Sequence, residues 1–168
     1  GIELEVTTRV SQRLLQDAIN AEFQASGINM TAQAQGYNHR DQAIWKIVSD
    51  ATVSGWEVVS PPMKGLEAKA QIEAVCKALN LLGVTVDTTT GFHVHHDSRD
   101  LSGQAIGSAF AIYANNHDVI DMMLAPSRRN TRWASKFTAE SLVNNSNKNK
   151  FKGDERMTAV SKISRYLG

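Results

Sequence analysis

The chain has 168 residues, 42% of them hydrophobic, and a net charge of +1. That length suits one domain with a real core, and the near-neutral charge gives no bulk reason to expect a nucleic-acid partner. No apolar run approaches the ~20 residues of a membrane span, and no signal peptide is recognisable.

The chain opens on GIELEV without an initiator Met, as expected of a processed or cloned N-terminus. Ile2, Leu4 and Val6 alternate there with Glu3 and Glu5, which predicts a strand carrying both carboxylates on one face, roughly 7 Å apart. Ser11 is placed to cap a helix running to about residue 25, with Leu14, Leu15, Ala18, Ile19 and Phe23 as its apolar stripe. Residues 26–43 are rich in Gly, Gln and Asn and read as a loop. IWKIVS at 44–49 and GWEVVS at 55–60 then predict a hairpin around Asp50–Ser54, which Pro61-Pro62 ends because proline cannot donate to a ladder.

Residues 66–82 return to helical spacing through Leu66, Ile72, Val75, Cys76, Leu79 and Leu82, with Gly83 as the C-cap. Cys76 is the lone cysteine, so there is no disulfide framework and a reducing cytoplasm is the default compartment; on this stripe it reads as a core residue rather than a nucleophile. Residues 84–90 form a short edge strand or loop before GFHVHHD, where Phe92 and Val94 alternate with His93 and His95. Ser102–Leu124 is a long helix with Ile106, Ala109, Phe110, Tyr113, Val119, Ile120 and Met123 inward and a break near Asn115-Asn116. After Pro126 comes the basic stretch SRRNTRW, then a polar, mobile segment at 141–156, and ISRYLG as the start of an unfinished element. The sum is a single α+β domain over 1–168, without internal repeats: an antiparallel sheet with helices packed on one face.

Chemistry concentrates on the strands. Glutamate is disfavoured in mid-strand and almost never buried unpaired, so Glu3, Glu5 and Glu57 together ask for a compensating cation. Oxygen ligands with an imidazole from His93 or His95 suit Mg²⁺ or Mn²⁺ better than structural zinc, and Asp50 at the hairpin tip can add a further oxygen. The bland alternative is a solvent-facing sheet with ordinary acids. His96 points away by strict alternation and reads as structural, while His39 and His117 receive no role. Arg128, Arg129 and Arg132 put three guanidinium forks within five residues, fitted to nucleotide phosphates or an acidic substrate; the competing reading is a solvated loop. Trp45, Trp56 and Trp133 are expected as core or loop anchors rather than base-stacking platforms.

Four motifs in order complete the pattern: GxExE, a D-x6-E hairpin leading into E-x-V-S-P-P, G-x-H-V-H, and S-R-R-N-x-R-W. From Gly1 to about Trp133 the chain resembles the amidoligase family, carboxylate–amine ligases related to glutamate–cysteine ligase and glutamine synthetase. The resemblance implies an ATP-dependent ligase whose sheet holds two or three Mg²⁺ ions around the nucleotide phosphates. It makes Glu3, Glu5, Asp50, Glu57 and His93 the metal ligands, with His95 a further candidate, and gives Arg128, Arg129 or Arg132 contact with phosphate or the substrate carboxylate. The substrates it implies are a small-molecule or peptide carboxylate and an amine; charge and hydropathy lead to no nucleic-acid or membrane partner being expected. Members of that family continue into a strand with a T-x-E-F-R-like motif that brings a further metal-binding glutamate and a catalytic arginine. This sequence ends at Gly168 before such a motif, so it is expected to be a fragment, to take the missing strand from elsewhere or to have lost activity. A truncated sheet would expose an edge prone to pairing between copies. Two other functions fit the residues: a metal-dependent hydrolase that activates water, and a non-catalytic, ligase-like binding or assembly module.

Overall fold

The computed structural model describes residues 1–38 and 40–129; His39, Arg132, Trp133, the 141–156 segment and ISRYLG lie outside them. Contacts divide the chain into two compact units, the first from Gly1 to His96 and the second from Asp97 onward.

The first unit carries β1 (Ile2–Thr7), α1 (Gln12–Ala25), β2 (Ala32–Ala34), β3 (Trp45–Val48), β4 (Gly55–Val59), α2 (Gly65–Leu81) and β5 (Phe92–Val94). The strands form one sheet in the order β2-β3-β4-β1-β5. Antiparallel pairing holds from β3 to β5, but β2 runs parallel to β3, so the sheet is mixed and not wholly antiparallel. β2 falls inside the stretch expected to be loop. Its three residues, Ala-Gln-Ala, have little strand propensity of their own. Side chains of α1 hold it instead: Asn20 donates to the Ala32 carbonyl at 3.0 Å and accepts from its N–H at 2.7 Å, and Gln16 accepts from the Ala34 N–H at 2.9 Å.

Alternation sorts the sheet into two faces. Ile2, Val6, Trp45, Ile47 and Val58 bury on one side against Leu15, Ile19 and Phe23 of α1 and Ala74, Val75, Ala78 and Leu79 of α2. Trp45 is fully buried, packs at 6.4 Å from the Phe23 ring, and donates its indole N–H to the buried Gln71 side chain at 2.9 Å. Trp56 anchors the strand end through an indole hydrogen bond to the Val10 carbonyl. Both are core anchors, as expected. Ser11 caps α1 by accepting from the Leu14 N–H, and Gly83, with φ of 66°, follows the end of α2 in the left-handed region that ends helices.

Two expectations for α2 are corrected. Its buried stripe is Gln71, Ala74, Val75, Ala78 and Leu79, so Leu66 is 86% exposed and Cys76 stands exposed rather than in the core. Partial desolvation still raises the Cys76 thiol above its ordinary pKa, the opposite of a reactive thiolate.

The second unit contains α3 (Gly103–Met122), capped by Ser102, and a 3-10 turn at Pro126–Arg128. α3 runs without the break expected at Asn115-Asn116; Asn116 spends its side-chain amide on the Ile112 carbonyl within the helix. Its buried residues are Gly107 and His117, while Tyr113, Val119 and Met123, expected inward, are exposed. Among the described residues no helix is long and apolar enough to cross a membrane.

Candidate metal centre

The face of the sheet opposite α1 and α2 carries the acids. Glu3 and Glu5 lie on β1, and Glu57 stands directly across from Glu5 on β4. β5 brings His93 opposite Glu3 on the other flank. Residues directly opposed across a ladder share a face, so the register alone gathers three carboxylates and an imidazole.

The turn before β5 sets its height. The Glu5 N–H donates to the Gly91 carbonyl at 3.0 Å, and the Gly91 N–H donates to Glu5 Oε2 at 2.5 Å. A Cβ at Gly91 would sit 2.8 Å from His93 Nε2 and 3.1 Å from Glu5 Oε2. Only glycine lets the backbone approach the carboxylate this closely. Gly55 serves β4 likewise, because a Cβ there would fall 2.0 Å from the Val6 carbonyl oxygen. Gly91 is a site residue that the strand reading passed over, although it opens the G-x-H-V-H motif.

His93 bridges the two acids of β1, with Nδ1 3.0 Å from Glu3 Oε2 and Nε2 3.7 Å from Glu5 Oε1. His95, just past the strand, reaches Glu3 Oε2 at 3.1 Å through Nε2. Two overlapping donor groups result, Glu3–His93–His95 and Glu5–Glu57–His93, each with ligand atoms within 4.8 Å of one another. That is one carboxylate with two imidazoles beside two carboxylates with one imidazole, sharing His93.

The charges of the cluster are unbalanced. Burial pushes the Glu57 carboxyl up, and the charges of Glu3, Asp50 and Glu5 add to that, raising it to about 7. Burial acts upward on Glu3 too, but hydrogen bonds from His93 and His95 outweigh it and hold that carboxyl below its ordinary value. A divalent cation among these donors would replace repulsion by attraction. The Glu5–Glu57–His93 group, oxygen-rich and free of cysteine, fits Mg²⁺ or Mn²⁺, while the two imidazoles and one carboxylate of Glu3–His93–His95 suit a transition ion better than Mg²⁺.

The remaining predicted residues are not among these donors. Asp50 sits in the β3–β4 hairpin, outside both donor groups, where its Oδ1 accepts from the Thr52 N–H at 2.6 Å and hydroxyl at 2.5 Å. Its charge is nonetheless felt by Glu57. Arg128 and Arg129 belong to the second unit, at the turn after α3. Arg129 folds back on that helix, donating to the Leu124 carbonyl at 2.8 and 2.9 Å and to the Met122 carbonyl at 3.3 Å.

Residues 1–163 match the family model described as "putative amidoligase enzyme". No curated protein and no solved structure matches the chain.

Proposed function

This chain belongs to the amidoligase family, and from that premise we propose that it is an ATP- and Mg²⁺-dependent carboxylate–amine ligase that forms an amide bond through an acyl phosphate. We read its sheet as the glutamine synthetase and glutamate–cysteine ligase type, and its setting as cytoplasmic. The observation that carries the proposal is the convergence of Glu3, Glu5, Glu57, His93 and His95 on one sheet face, with Glu57 raised to about 7 by burial and by its acidic neighbours.

In this reading a carboxylate oxygen of the acid substrate bonds to the γ-phosphorus of ATP as the bond to ADP breaks. The amine nitrogen then bonds to the acyl carbon, inorganic phosphate leaves with the C–O electron pair, and the nitrogen gives up a proton. Bound Mg²⁺ would neutralise phosphate charge. The chain's own part is placement. β1, β4 and β5 hold the donors on rigid, hydrogen-bonded backbone, Gly91 fixes Glu5 through its N–H, and His95 and His93 keep Glu3 ionised. Arg128, Arg129 or Arg132 would meet phosphate or the substrate carboxylate.

Glu5→Gln and Glu57→Gln each remove a ligand charge without changing side-chain size. Both variants should keep the wild-type circular dichroism spectrum and lose Mg·AMPPNP binding in calorimetry. Wild-type nucleotide affinity in either one would overturn the metal assignment.

A further inference from the structure

The polar face holds one more charged side chain, which the acidic cluster does not use. Lys46 of β3 is 4% exposed. Its Nζ donates to the Arg40 carbonyl at 2.9 Å, to Asn38 Oδ1 at 3.3 Å and to the Asn38 carbonyl at 3.4 Å. All three partners are neutral oxygens, and among the described residues no carboxylate lies within ion-pair distance of it. Lysine is rarely buried without a counter-charge, because an ammonium gives up strong hydration on leaving water.

The register places this ammonium in the same row as the metal donors. Lys46 and Glu3 both stand opposite Val59, one from each side, and Gln33 continues the row on β2 as His93 does on β5. Two strand spacings separate the Lys46 and Glu3 backbones, about 10 Å. An anion of triphosphate length, or an acid lying across Val59, would meet the carboxylate–imidazole donors at one end and Lys46 at the other. Neutral donors flank that far end. Gln35 donates to Gln33 at 3.0 Å and to Gln42 at 2.8 Å, and Asn38 donates to Gln35 at 3.0 Å.

We propose that Lys46 is an anion-binding residue of this site, whose ammonium takes an anionic oxygen of the substrates in place of the Asn38 and Arg40 oxygens. The oxygen comes from the nucleotide's phosphate or from the acid's carboxylate. The proposal rests on the ligase reading and adds to it a cation from the same sheet. Lysine suits the task as a compact point charge on a stem long enough to change partners.

The test is calorimetric titration of the full chain with Mn²⁺ alone, with Mg·AMPPNP, and with glutarate (a dicarboxylate probe) in the presence of Mg·ADP. Lys46→Met should bind Mn²⁺ within twofold of wild type and lose at least tenfold for one of the two anions. Loss toward Mg·AMPPNP assigns the phosphate, and loss confined to glutarate assigns the carboxylate. Lys46→Arg should restore part of it. Should Lys46→Met not fold, Lys46→Gln, which still donates to the loop carbonyls, carries the same comparison. Unchanged affinity for both anions, or a wild type that binds Mn²⁺ and neither anion, overturns the proposal and leaves Lys46 as a fastener of its loop. A wild type that binds neither Mn²⁺ nor Mg·AMPPNP overturns the ligase reading itself.

Discussion

Burial first, and then the charges of Glu3, Asp50 and Glu5, keep a proton on Glu57 up to about pH 7. The ordinary value is 4.5, so between those two pH values the metal-free fold holds a proton that the unfolded chain releases. Its contribution to stability is therefore complete below about pH 4.5 and is lost as pH rises through 7. Thermal melts of the metal-free protein should show this fall, and Glu57→Gln should flatten it. A divalent ion must displace that proton, so Mn²⁺ affinity should climb over the same window by as much as about tenfold per pH unit, then level off. Gly91 gives a second prediction at this scale. In Gly91→Ala the new methyl group meets the far ends of His93 and Glu5, which can swing away at the expense of the donor geometry. Mn²⁺ affinity should fall by about 10–100-fold while the melting temperature barely moves; a large loss of stability with intact affinity would contradict this placement.

Elements whose residues alternate or cap cleanly were legible from the chain itself. GIELEV and GWEVV show a period of two with acids on one phase, and Ser11 opens an apolar stripe, so β1, β4 and α1 stand where their patterns put them. β2 was not legible because its stabilisation comes from Asn20 and Gln16 on α1 and not from Ala-Gln-Ala itself. α2 was legible as a helix but not in its facing. Its buried stripe is built on small alanines and Gln71, while the larger Leu66 is left in solvent. Of the site, Glu3, Glu5, Glu57, His93 and His95 were visible as polar phases of strands. Lys46 shares that phase within WKIV, yet its burial depends on a loop that no periodicity describes. The central packing element is Trp45, fully buried between Phe23 and Gln71. Trp45→Ala should cost about 3–5 kcal/mol in chemical denaturation. A loss below about 1 kcal/mol would mean that this ring does not organise the core.

Across the molecule, the first unit contains the core, the donor cluster and Lys46, and the second carries Arg128 and Arg129 at the turn after α3. A net charge of +1 leaves no global field to recruit an anionic substrate, so in the proposed ligase anion binding would rest on local charges, a bound cation and particular lysine or arginine groups. Such a site should take nucleotide only with its metal in place. The most direct measurement is calorimetric titration of Mg·AMPPNP into the wild-type chain, paired with the same titration of AMPPNP in the presence of a chelator. Saturable binding that requires Mg²⁺ is the predicted result. Equal binding with and without the metal, or no binding in either titration, would contradict a Mg·ATP-dependent ligase.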